Sequence, residues 1–60
     1  MNYDDCVARA RMCANSAHLA QSKEEAAQLW KMAREYQEKA AKLDAGKSPH
    51  IGKPPAWLAE

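Results

Sequence analysis

The residues of this chain with the richest chemistry are two thiols, a thioether and two imidazoles: Cys6, Cys13, Met12, His18 and His50. Together they are the ligand types a soft metal such as Cu(I) or Zn(II) prefers, and Cys6, Cys13, Met12 and His18 form the candidate set for a copper or zinc site. Their spacing argues for something plainer. Zinc sites use Cys separated by two to four residues, and here the gap is seven. On one helix that gap is about 10.5 Å at the α-helical rise. A disulfide tolerates a Cα separation of roughly 7 Å at most, so the two thiols cannot bridge within the helix. Both are therefore expected to act as small core hydrophobes, with no metal and no cofactor bound.

No Ser or Cys has a His and an acid at a spacing that suggests nucleophilic catalysis, and a chain of 60 residues leaves little room for an enclosed catalytic cavity. The expectation is a protein that is not an enzyme. His18, near the end of the first helical stretch, is placed to bond a terminal carbonyl there. Arg9, Arg11 and Arg34 offer a small basic patch, but Asp5 stands four residues before Arg9, as in an ion-paired solvated face. Nine basic residues against eight acidic leave a formal charge of +1. Neither nucleic acid nor an anionic membrane surface is therefore expected as a partner.

These side chains need elements to hold them. From Tyr3 to about Gln21 neither Gly nor Pro interrupts the chain, and Tyr3, Cys6, Ala10, Cys13, Ala17 and Ala20 recur at alternating three- and four-residue spacing. That predicts a helix over about 3–21, its stripe widened by Met12 and Leu19. Asn2 is its N-cap, and Asp4 and Asp5 complement the dipole. A second start is marked by Ser22-Lys23-Glu24-Glu25, the pattern of a capping box. Behind it Ala26, Leu29, Ala33, Tyr36, Ala40 and Leu43 keep the same spacing, flanked by Trp30 and Met32. Glu35 to Lys39 and Glu38 to Lys42 are favourable i,i+4 pairs on the wet side. This predicts a helix over about 23–45, with Gly46 at C′ and Pro49 beyond as a stop.

So short a connection forces the helices antiparallel, and the fold class is all-α, an antiparallel two-helix hairpin. Bulky Leu29, Trp30, Tyr36 and Leu43 are expected to lie over the small residues of the first helix. The hairpin takes residues 1–46. Residues 47–60 form a Pro-rich tail, extended through Pro54-Pro55 and closing in a short turn that contains Trp57 and Leu58.

Ala10, Cys13, Ala17, the turn at Ser22, Leu29, Ala33, Tyr36 and Ala40 together resemble a group of short uncharacterised bacterial helical-hairpin proteins, over roughly residues 3–43. That resemblance implies the fold and no activity. Glu24-Glu25-Ala26 followed by Trp30 and Ala33, with Cys13, Ala14 and Ala17 before them, is also similar to a single tetratricopeptide helix pair. This chain lacks that repeat's Gly on the first helix and its Pro at the end of the second.

Thirteen of the residues are Ala, so the large apolar side chains are few and the core is thin. Apolar burial at about 25 cal/mol per Å² barely offsets the ordering of so small a chain, and a supplement is needed. Trp57 and Leu58 supply it by docking on the hairpin or on a partner. The expected function is a non-enzymatic protein–protein interaction module, self-associating or docking on a larger protein through Trp30, Tyr36, Met12, Leu19, Trp57 and Leu58. The alternatives are the metal-binding hairpin and a small inhibitor that masks a surface. No stretch is apolar enough to span a bilayer, and Asn2, Asp4 and Asp5 stand where a signal peptide would be positive, so a cytoplasmic location is expected.

Overall fold

A computed structural model describes residues 2–44 and 46–59; the expected boundaries at Met1, Ala45 and Glu60 lie outside the described residues. The chain is an all-α hairpin: α1 (Tyr3–Leu19) and α2 (Lys23–Leu43) pack along their lengths, and a 3-10 turn (Ala56–Ala59) follows an extended segment. Among the described residues there is no strand.

Both helix starts follow from their caps. The Asn2 side chain accepts the Asp5 amide at 2.8 Å, and the Ser22 hydroxyl accepts the Glu25 amide at 3.1 Å. Each bond satisfies a donor that the first turn cannot. α1 ends two residues earlier than its pattern suggested. Ser22 must be extended to cap α2, and the chain must reverse before it. Ala20 therefore leaves the helix at ψ 149, its amide still reaching Ala17 O at 3.4 Å. After α2, Gly46 takes a left-handed φ of +87, which a side chain would strain. Its amide reaches back to Ala41 O at 2.7 Å. Gly46 stands two residues past the C-cap Asp44, one further than expected.

The helix–helix seam is made of small side chains. Cys6, Ala10, Ala14 and Ala17 of α1 are buried, with Ala26, Ala33 and Ala40 of α2. The bulky residues do not lie over this seam as expected. Leu29, Trp30 and Tyr36 are half-buried on its shoulders, and Leu43 is exposed. The reason is geometric. Ala26, Ala33 and Ala40 repeat every seven residues, and a seam filled by Ala brings two backbones too close for Leu or Trp between them. On α1 the same closeness selects Ala14 over Cys13, which is half-buried. Met12 and Leu19, expected to widen the stripe, point to water at 69% and 75% exposure.

The tail runs back over one side of this seam. Three hairpin side chains take three of its carbonyls: the Tyr3 hydroxyl donates to Lys47 O at 3.4 Å, Gln37 Nε2 to Pro49 O at 2.8 Å, and His18 Nε2 to Lys53 O at 2.8 Å. From Lys47 to Lys53 an extended chain covers about 20 Å at roughly 3.3 Å per residue. From Tyr3 to His18 a helix rises about 22 Å at roughly 1.5 Å per residue. A handful of tail residues thus spans most of α1. Pro49 and Pro55 are buried, and Leu58 N–H closes the final turn on Pro55 O at 3.0 Å.

Candidate interaction face

On α2, residues seven apart form rows. Trp30 and Gln37 make one, Ala26, Ala33 and Ala40 the next, and Leu29, Tyr36 and Leu43 the third, each stepped round the helix from its neighbour. The middle row faces α1. The first row faces the tail. Trp30 stands edge-on to His18, ring centroids 6.5 Å apart at 89°, and lines a shallow pocket with Ala27, Pro54 and Leu58. This edge-to-face geometry places the positive rim of one ring on the face of the other. The third row lies on the opposite shoulder, with Met32 beside it, and none of the tail's side-chain hydrogen bonds among the described residues falls on it.

That uncovered shoulder is the candidate site. Met32 is 44% exposed and Leu43 54%, while Leu29 and Tyr36 are half-buried. Cys13 is half-buried on the same side of α1, and Cys6 lines a cleft with Lys39, Lys42 and Leu43. Lys39, expected to pair with Glu35, has its ammonium 5.4 Å from the centroid of the Tyr36 ring, a cation–π arrangement. The shoulder is therefore apolar with charge at its rim.

The structure disperses the other residues that the sequence singled out. Trp57 lies at the surface, 37% exposed, while Leu58 beside it is half-buried against α2. Met12 and Leu19 occupy the outer side of α1, away from the seam. His18 bonds the tail carbonyl of Lys53 instead of a carbonyl at the end of its own helix, because the tail passes over its ring. A carbonyl only accepts, so Nε2 carries the proton. His18 and His50 line one shallow pocket with Arg11, Ala14, Asn15 and Ile51. Both thiols are free, and among the described residues no three of His, Cys, Asp and Glu are grouped to hold a metal.

Sequence reasoning passed over Gln37, and read Pro49 as a helix stop and Pro55 as part of the extended tail without expecting either to be buried. Gln37 follows Trp30 by seven residues, and that row was the available signal for the tail's path. No helix among the described residues is long and apolar enough to cross a membrane. No family model, curated protein or solved structure matches this chain.

Proposed function

We propose that this chain is a non-enzymatic interaction module that self-associates through the shoulder its own tail leaves open. One observation carries the reading: the row Leu29, Tyr36 and Leu43, with Met32, has the same heptad period as the tail-covered row, yet Met32 and Leu43 stand exposed on it. An Ala seam contributes little, since each buried methylene is worth about 0.8 kcal/mol, so stability rests on the bulky shoulders. The tail completes one of them. A second chain completes the other, in the manner of a four-helix bundle.

The module works in the cytoplasm, where Cys6 and Cys13 stay reduced and serve packing. It binds no metal or cofactor, and its chemistry is burial of apolar surface. Mass action supplies the test, because anything that binds only the folded chain stabilises it in proportion to the logarithm of its concentration. The melting temperature of the wild-type protein is expected to rise as protein concentration rises. A melting temperature independent of concentration, in a cooperative transition, would contradict self-association.

A further inference from the structure

Resting on that self-association reading, we propose that the second copy lies antiparallel on the open shoulder, with its two-fold axis passing beside Met32. The argument is charge complementarity within the row. Glu25, Leu29, Met32, Tyr36, Lys39 and Leu43 follow one another at four- and three-residue steps, the period of a helix–helix contact. Two of these six are charged. Glu25 precedes Met32 by seven residues and Lys39 follows it by seven, about 10.5 Å on either side at the helical rise.

A two-fold axis perpendicular to α2 at Met32 therefore sets Glu25 against the partner's Lys39 and Lys39 against the partner's Glu25. Between these pairs Leu29 meets the partner's Tyr36, and Met32 meets its own copy. Parallel pairing would set Glu25 on Glu25 and Lys39 on Lys39, and like charges at such positions are repulsive. Lys39 already stands over the Tyr36 ring at 5.4 Å, which holds its ammonium on the row. Polar residues within an apolar helix stripe are a known means of setting register and orientation, and Glu25 and Lys39 act here in that role.

Charge exchange tests this. Lys39→Glu and Glu25→Lys, each alone, are expected to weaken self-association about tenfold or more, and mixing the two variants should restore it. The chain carrying both substitutions should self-associate like the wild type yet not mix with it, as read by native mass spectrometry of an isotope-labelled pair. Free mixing of that chain with the wild type would indicate parallel pairing and overturn the inference. So would Lys39→Glu associating as tightly as the wild type. A wild type that stays monomeric overturns the self-association reading itself, which separates the two failures.

Glu25 lies in the first turn of α2, where the dipole favours an acid, so Glu25→Lys could melt the helix. Glu25→Gln and Lys39→Gln then give the same answer. Each should weaken association by roughly threefold. The double variant should be no weaker than either single one; additive losses would contradict the pairing.

Discussion

Trp30 and Gln37 on one shoulder of α2, and Leu29, Tyr36 and Leu43 on the other, share one seven-residue period but have different surroundings. The first shoulder pairs each apolar contact with a polar anchor: Trp30 has the His18 ring and the wall of Pro54 and Leu58, and Gln37 and His18 hold the carbonyls of Pro49 and Lys53. The second also carries donors, the Tyr36 hydroxyl and the Lys39 ammonium, but none of the tail's hydrogen bonds among the described residues runs to them, and the rest of it is apolar. Of the bonded tail carbonyls that of Pro49 is part-buried, where a polar group without a partner is costly. The tail lies on the side where Tyr3, Gln37 and His18 take its carbonyls. What remains open suits a helix, whose backbone is already satisfied.

The largest effect should separate the shoulders outright. Trp30→Ala removes the tail's main apolar contact and should destabilise the chain by about 3 kcal/mol, read by denaturant unfolding. Tyr36→Ala, at a half-buried site without the tail's contacts, should cost the dilute monomer clearly less than Trp30→Ala and should in addition weaken association. Equal monomer losses from the two would erase the distinction. A second substitution strikes the seam between them: Ala33→Leu places a branched side chain where the backbones are close, and should cost about 2 kcal/mol in the same measurement.

Ser22→Ala removes the cap on the Glu25 amide and should cost about 1 kcal/mol. Because it acts on α2 as a whole, it should lower monomer stability and association together, and so serves as the reference for shoulder-specific changes. The smallest effects concern the thiols. Cys6→Ala, at a buried site, should cost about 1 kcal/mol, and Cys13→Ala, half-buried on the open shoulder, less than that. Neither loss should change when a chelator is added during thermal melting; a chelator-dependent drop in melting temperature would point to ligation.

The hairpin was legible in the sequence because its signals are local. Asn2 and Ser22 as caps, the uninterrupted three- and four-residue spacing, and Gly46 followed by Pro49 each depend on a few adjacent residues. Which side chains fill the seam was less legible. Apolar spacing does not distinguish Cys13 from Ala14, or Leu29 from Ala33; the choice is made by how closely two helices approach, a property of both at once. Met12 and Leu19 misled for the same reason, being apolar residues on the wrong side of a seam too narrow to include them. The tail's path was hidden more deeply. It depends on Tyr3, His18 and Gln37, polar residues far from it in sequence, whose role appears only when three carbonyls arrive beside them. Of the open shoulder, Tyr36 was read from the sequence as an interaction residue, and Met32 only as a flank of the helix stripe.

Sedimentation of wild-type protein beside Met32→Glu tests the division into a covered and an open shoulder most directly. Met32 is 44% exposed and outside the seam, so a carboxylate there can reach water and disturbs the monomer's packing little while placing like charges at the centre of the proposed contact. The account predicts that the wild type sediments above the 6.7 kDa of one chain at micromolar concentration. It also predicts that Met32→Glu sediments as a single chain with unchanged helicity by circular dichroism. A wild type that sediments as one chain, or a Met32→Glu variant that associates as the wild type does, would contradict it.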